Sequence, residues 1–393
     1  MTASATTIRT RVAIIGAGPA GLLLAAMLHR SGIESIVLDG RDRADIESTI
    51  RAGILEQGTV ELLRELGRTR VDAVGARHEG IELRARGVGH RIHFTDLVNR
   101  AVWLYPQHEV LIDLLALADE DGTDVRLETT ATSVEGAEGP TPVVHATTAD
   151  GERLEITADL VVGADGTRGI TRAIVNGDAH AGYFREYPFA WFGILAEAPP
   201  SSPELIYSTS ERGFALISQR SETVQRMYLQ CDPEQPAEEW SDAFIWDELQ
   251  ARVGGGLVEG TIFKRDVLRF RSFVAASLRR GRVFLVGDAA HTVPPTGAKG
   301  MNLAAADVSI LHHAITAFLR DGDEGGLDGY EATALQRIWR GQYFSYWMTS
   351  MLHAAEGASE FDEQRRLTEL ELVATSRHGA AFLAEGYTGR PFD

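Results

Sequence analysis

Val12-Ala13-Ile14-Ile15-Gly16-Ala17-Gly18-Pro19-Ala20-Gly21 is the stretch that decides the fold of this chain. Four apolar residues run into a glycine, which reads as a buried strand entering a tight turn. Pro19 suits a first helical turn, the helix continues to about Arg30, and Gly32 stops it. Residues 35–38 then read as a second strand closing on Asp39. Glycines at Gly16, Gly18 and Gly21 followed by such an acid are the fingerprint of a βαβ unit. It sets a helix N-terminus, with bare N–H groups and a positive dipole end, against a pyrophosphate, and the acid against a ribose. The fingerprint indicates an adenine dinucleotide and does not choose between FAD and NAD.

Working outward, residues 56–66 and 109–118 read as helices, and 81–83, 91–94 and 125–127 as short strands, the first two of them a small excursion. Residues 143–147 and 153–157 flank the turn Asp150-Gly151 as an antiparallel pair, and 160–162 is a further buried strand leading into Gly163-Ala164-Asp165-Gly166. Between about 184 and 273 strand-like pieces dominate: 191–196, 204–208, 214–219 and 224–230, with a helix at 240–253. Residues 282–286 lead back to the first unit, and the chain beyond about 321 is charged and helix-rich.

With 393 residues, 44% hydrophobic and 24% charged, the chain has an ordinary globular composition. Its 38 basic against 56 acidic residues give a net charge of −18, which argues against nucleic acid and anionic membrane as partners. An anionic substrate therefore needs a local cluster of arginines. A single cysteine, Cys231, rules out an intramolecular disulfide and points to the cytoplasm. No targeting segment is expected: the apolar run 22–28 is too short to span a membrane and ends at His29 and Arg30.

A second motif lies far downstream: Gly287-Asp288-Ala289-Ala290-His291, then Pro294-Pro295-Thr296-Gly297-Ala298-Lys299-Gly300-Met301-Asn302. It follows an apolar strand, its acid suits a ribityl hydroxyl, and its glycines bare another helix start. This favours a flavin gripped twice. Asp165 caps a helix, makes a turn, or touches the same cofactor. His78 and His291 have no partner at ligand spacing, so no metal site is expected.

These strings resemble the single-component aromatic flavoprotein monooxygenases, from Arg11 nearly to the C-terminus. The most specific carriers are Ile50-Arg51-Ala52-Gly53-Ile54-Leu55-Glu56-Gln57-Gly58, Glu204-Leu205-Ile206-Tyr207, Arg212-Gly213-Phe214-Ala215-Leu216, Ser218-Gln219-Arg220-Ser221 and the 287–302 segment. The fold the resemblance implies is α/β: a Rossmann-like FAD-binding domain over 1–180, continued at 275–320, with an inserted β-sheet substrate domain over 181–274. A helical C-terminal part over 321–393 completes it, and a homodimer is implied by analogy. Gly16, Gly18, Gly21, Asp39, Arg51, Gln107, Asp165, Asp288, Gly300, Met301 and Asn302 would bind FAD. Ser218, Arg220, Tyr228, Tyr207 and Thr296 would bind the substrate. Tyr207, Tyr387 and His78 would relay the phenolic proton, and Pro295 would present a backbone group to the reacting ring. Arg226 and Arg271 would line the nicotinamide route.

The implied reaction is hydroxylation of 4-hydroxybenzoate to 3,4-dihydroxybenzoate with NAD(P)H and O2, through a flavin hydroperoxide. Departures from the family pattern bear on the nicotinamide. Gly40, Asp45 and Thr49 stand where NADPH users carry two arginines and a tyrosine, Asp42 and Glu47 add negative charge, and Arg168 replaces a histidine. NADH or dual use is the expectation. The rival readings are a hydroxylase of another hydroxybenzoate, a flavin-binding sensor without turnover, and a plain NAD-dependent dehydrogenase. The last has no need of the Gly287-Asp288 motif.

Overall fold

A computed structural model describes residues 5–48, 53–85, 87–355 and 357–392. Its first sheet has eight strands. Along the main path the order is Arg279–Arg280, Val283–Leu285, Arg153–Gly163, Thr6–Ile15, Ser35–Leu38 and Asp124–Arg126, with Thr129–Glu135 and Val143–Thr148 attached through the long Arg153–Gly163 strand. The central pairs are parallel, and Val12, Ala13, Ile14, Leu160, Val161 and Val162 have no exposed surface. Parallel strands covered by helices on both faces carry such continuous apolar runs. The fingerprint helix Pro19–Arg30 and the helix Gly300–Asp321 pack together over this sheet.

The pieces 153–157 and 160–162, expected as two strands, are one. Nothing between them breaks the chain, and Asp159 holds both Arg9 and Arg11 of the neighbouring strand. One half of this strand pairs with the hairpin arm Val143–Thr148, while its length runs parallel to the first strand.

The second sheet also has eight strands: His291–Thr292, Thr261–Ala275, Gly182–Glu197, Val224–Cys231, Gly213–Gln219, Ile206–Ser210, Gly80–Ala85 and Val88–His93, in that spatial order. Two of its features escape sequence patterning. The 15-residue strand Thr261–Ala275 is interrupted by Lys264, Arg265, Asp266, Arg269 and Arg271, which hide its alternation because much of it faces solvent. The early strands Gly80–Ala85 and Val88–His93 are no separate excursion: they extend this sheet through parallel pairing of the first with Ile206–Ser210. A third, three-stranded sheet joins Ile54–Glu56, Val102–Leu104 and Ala76–His78.

Alternation gives the second sheet two faces. One carries Ile206, Ala215, Ile217, Met227 and Leu229 against the helix Asp242–Val253, whose N-cap is Ser241. The other carries Leu205, Tyr207, Phe214, Leu216 and Tyr228 against the helices Gly325–Leu352, Glu360–Thr375 and Arg377–Thr388. The 287–302 segment ties the two large sheets together. It leaves the first sheet after Val283–Leu285 and adds the short strand His291–Thr292 to the second. Among the described residues no helix is long and apolar enough to cross a membrane.

Candidate active site

The fingerprint turn has the shape a pyrophosphate needs. Gly16 sits at φ 111°, and a Cβ there would lie 2.3 Å from the Ala164 carbonyl; a Cβ on Gly21 would strike the Gly16 carbonyl. At Gly18, by contrast, the nearest atom is 4.0 Å away, so the backbone is open to an approaching group. Asp39 closes the next strand: its carboxylate accepts from Ala17 N–H at 2.8 Å and from the Arg41 backbone and guanidinium. Burial works to raise the Asp39 pKa, but the bonds from Arg41 and Ala17 prevail and hold it below the usual carboxylate range.

The downstream segment begins with a 3-10 turn at Gly287–Ala289, held from two sides. Arg172 donates to the carbonyls of Asp288 and Ala289, while Asp307 accepts from Gly287 N–H at 3.0 Å and from His291 Nε2 at 2.7 Å. His291 and Asp307 are fully buried; burial would lower the His291 pKa, but the Asp307 charge raises it. His291 is therefore a brace for the Gly287-Asp288 turn. Farther on, Ala298 adopts left-handed backbone (φ 53°), just before the helix Gly300–Asp321.

The N–H groups of that helix's first turn lie ahead of its first intrahelical bond, Leu303 N to Lys299 O, and a Cβ on Gly300 would enter open space. The Asn302 side chain is engaged with protein: its oxygen accepts from Glu56 N–H and the Thr59 hydroxyl, and its amide donates to the Ile54 and Ala298 carbonyls. Only its backbone and those of Gly300 and Met301 are left to face a cofactor. Lys299 is buried against Glu56, donates to the Tyr387 carbonyl and lies over the Phe344 ring.

Gln107 is the first residue of the helix Gln107–Asp121, another bare helix start. The Asp165 carboxylate accepts from Thr171 N–H and hydroxyl, capping the short helix Thr171–Asn176; burial raises its pKa. Of the functions left open for Asp165, capping is the one its carboxylate performs here. Arg51 and Thr49 lie outside the described residues.

On the second sheet, cross-strand register puts Tyr207, Leu216, Tyr228 and Gly193 in one row, and Ser218 opposite Arg226 in the next row on the same face. Arg220 follows two residues beyond Ser218, at the hairpin. Tyr207 and Tyr387 share a hydroxyl–hydroxyl bond of 2.6 Å, and Tyr207 also donates to the Thr296 carbonyl at 3.3 Å. Burial pushes both phenols above their usual range. The Thr296 hydroxyl accepts from Thr349 at 2.9 Å, and Pro295 precedes it in the same turn. Near the hairpin, burial and the neighbouring Arg226 push Arg220 down to about 10. The buried Tyr228 phenol is likewise pushed up.

Two placements bear on the roles that the resemblance implies. His78 is buried, with its pKa lowered by burial, and its Nε2 accepts from Gln219 rather than meeting Tyr387. The structure thus joins Tyr207 to Tyr387 but shows no hydrogen bond from Tyr387 to His78. Arg226 is buried beside Tyr228, whereas Arg271 is exposed on the strand Thr261–Ala275; burial lowers the Arg172 pKa, and the charge of Arg271 adds to that.

Sequence reasoning missed three groups. Arg172 holds the Gly287 turn, and Asp266 pairs with Arg226. His353 accepts from Trp191 Nε1 at 2.7 Å and bonds the Thr349 carbonyl, backing the Tyr228 and Thr296 walls. None belongs to a local motif; only their neighbours across the fold give them a role.

Two glycine-opened helix starts, an acid after each of two strands and a buried polar face on a separate sheet suit a flavoprotein aromatic hydroxylase, and that is the class to which its relatives assign the chain. The model of the FAD binding domain family matches residues 9–345, and the chain belongs to that family, with FAD bound and NAD(P)H as cosubstrate. It is 41% identical over 393 residues to p-hydroxybenzoate hydroxylase of Acinetobacter baylyi, covering 98% of this chain and 97% of that protein. It is 29% identical to 3-amino-4-hydroxybenzoate 2-monooxygenase of Streptomyces cremeus, over 91% of each. Among solved structures, p-nitrophenol 4-monooxygenase from Pseudomonas putida DLL-E4 superposes with a TM-score of 0.79 at 18% identity, covering 98% of this chain and 99% of that one. At that identity the structural match speaks for the fold alone.

Proposed function

We propose that this chain hydroxylates 4-hydroxybenzoate to 3,4-dihydroxybenzoate, consuming O2 and NADH or NADPH. The observation that carries the reading is one sheet face with a hydroxyl pair at one end and guanidinium groups at the other. From the Tyr207 row to the Ser218 row is two residues, ~7 Å along the strand. That spacing suits a benzene ring substituted at opposite ends. Full-length similarity to a p-hydroxybenzoate hydroxylase supports the same substrate.

In this reading the first sheet and its helices carry FAD and the second carries the substrate, with the 181–274 insertion as the substrate domain. Gly16, Gly18 and Gly21 leave the helix start open to the pyrophosphate, Asp39 takes the ribose, and Gln107, Asp288 and Arg51 take the pyrophosphate and ribityl portion. Backbone groups of Gly300, Met301 and Asn302 face the ring. FAD, when bound, supplies hydride acceptance and oxygen activation.

The chain's own residues do the rest. Arg220, with Ser218 and Tyr228, holds the carboxylate; a planar guanidinium pairs with it in bidentate fashion. This resolves the charge problem, since a local arginine cluster binds an anion in a protein of net charge −18. The phenol hydroxyl meets Tyr207. Losing its proton raises electron density on the adjacent ring carbon, where oxygen is added. Because burial keeps Tyr207 and Tyr387 neutral, each hydroxyl accepts one proton as it donates another. His78, bonded to Gln219, is assigned the exit to solvent. Thr296 and Pro295 fix the ring from the opposite side and exclude water. Arg226, which also borders the substrate face beside Ser218, and Arg271 remain assigned to the nicotinamide route. The charges of Asp42, Asp45 and Glu47 disfavour a 2′-phosphate and favour NADH, with Arg41 and Arg43 compensating in part.

The test follows NADH and NADPH oxidation with 4-hydroxybenzoate and identifies the product by chromatography. Formation of 3,4-dihydroxybenzoate is expected. Turnover of a different hydroxybenzoate with none of this one would overturn the substrate, and a yellow protein that consumes no oxygen would establish a sensor instead.

A further inference from the structure

Gly193 lies in the middle of the strand Gly182–Glu197, opposite Tyr228 on one side and Asp266 on the other. A Cβ at this glycine would lie 2.4 Å from Asp266 Oδ1 and 3.1 Å from the Tyr228 ring. The missing side chain is a notch through which the Asp266 carboxylate leans across the sheet. It reaches Arg226, pairing Oδ2 with Nη2 at 2.9 Å. Arg226 is only 7% exposed and its guanidinium lies 5.0 Å from the Tyr228 ring centre. Its Nε and Nη1 are buried with no hydrogen-bond partner among the described residues. Two unpaired donors on a buried cation beside the Tyr228 ring are costly.

Arg226 and Arg220 are diagonal neighbours on one face of the hairpin, since Ser218 opposes Arg226 and Arg220 follows by two residues. The Asp266 field reaches Arg220 as well. One carboxylate is therefore paired with Arg226, and its charge is felt at Arg220.

We propose that Asp266, seated in the Gly193 notch, is a specificity-determining residue that limits the chamber to aromatic monocarboxylates. It acts through Arg226, as a positioning residue, without touching substrate. With Asp266 in place, a ligand bearing one carboxylate meets a complementary cationic site. A second carboxylate on the ring meets the charge of Asp266 and is repelled. Removing that charge releases Arg226 to the second carboxylate. The inference rests on the reading that Arg220 and Tyr228 receive the substrate carboxylate.

The experiment titrates FAD-loaded wild type, Asp266→Asn and Asp266→Glu with 4-hydroxybenzoate and with 4-hydroxyphthalate. Binding is followed by flavin absorbance and by equilibrium dialysis, without turnover. Asparagine matches aspartate in shape, so steric exclusion of the larger ligand cancels between wild type and Asp266→Asn. Asp266 is 41% exposed and partly screened, so the expected shift in the affinity ratio toward the dicarboxylate is modest, about threefold to fivefold. Asp266→Glu keeps the charge and should stay near the wild-type ratio. If wild type binds 4-hydroxybenzoate and Asp266→Asn leaves the ratio unchanged, the role of Asp266 is overturned while the substrate reading stands. If wild type binds no 4-hydroxybenzoate, the substrate reading fails, and this inference with it.

Discussion

The two faces of the second sheet are built by the same strands yet serve opposite ends. On the face toward the helix Asp242–Val253, Ile206, Ala215, Ile217, Met227 and Leu229 form an apolar layer. One residue along on each strand, the other face carries Tyr207, Ser218, Arg226 and Tyr228, all buried, with Arg220 at its edge. Apolar burial stabilises at roughly 25 cal/mol per Å2, while a buried hydroxyl or guanidinium costs free energy unless it is paired. The first face is therefore where the sheet gains stability, and the second is where it gives some up. Buried polar groups at that cost, gathered on one side, mark the side that does chemistry.

The contrast is open to four experiments, from the largest expected effect to the smallest. Ile217→Ala, on the apolar face, should cost about 2–5 kcal/mol of stability in urea melts and leave 4-hydroxybenzoate affinity unchanged; a matching loss of affinity would erase the division between faces. The polar face should carry an acid liability at His353, which is fully buried with a pKa pushed down to about 3. Unfolding returns it to ~6.5, so the unfolded chain binds the extra proton. Its contribution is whole above pH ~6.5 and is lost as the pH falls toward 3, by about 1.4 kcal/mol per unit. Melts at pH 7, 6 and 5 should show His353→Gln with a shallower decline than wild type, and equal slopes would dismiss the effect.

Arg220→Ala should weaken 4-hydroxybenzoate binding by roughly 1.5–3 kcal/mol, the range for a charge-assisted hydrogen bond. Equilibrium titration checks this, and unchanged affinity would remove the carboxylate role. Tyr207→Phe should be the mildest in energy, about 0.5–1.5 kcal/mol of stability for one hydrogen bond, with binding retained. Its consequence is chemical: reducing equivalents should appear as hydrogen peroxide instead of hydroxylated product. Fully coupled hydroxylation by this variant would sink the relay.

Legibility in the sequence followed the reach of the interactions. The Gly16–Gly21 turn, the helix Pro19–Arg30 and the strand Ser35–Leu38 are local structures, and their residues announced them. The 287–302 segment was legible as a helix start beside a cofactor for the same reason. The sequence could not show that the Asn302 side chain is occupied by Glu56 and Thr59, residues more than two hundred positions away. Nor could it show that Asp165 serves Thr171, or that His78 bonds Gln219. The strand Thr261–Ala275 stayed hidden because its solvent-facing charges mask the period of two.

By itself the sequence determined the dinucleotide cradle, the α/β class and the set of residue types a hydroxylase chamber needs. These depend on backbone freedom at glycine, helix-end charge and apolar periodicity, all short-range properties. Only the tertiary structure decided which of those residues meet. Tyr207 and Tyr387 stand 180 positions apart and share a proton-bearing bond; Asp266 reaches Arg226 through the absence of a side chain at Gly193. Such pairings follow from strand register and helix docking, which are set by the burial of whole faces and not by any one stretch of chain.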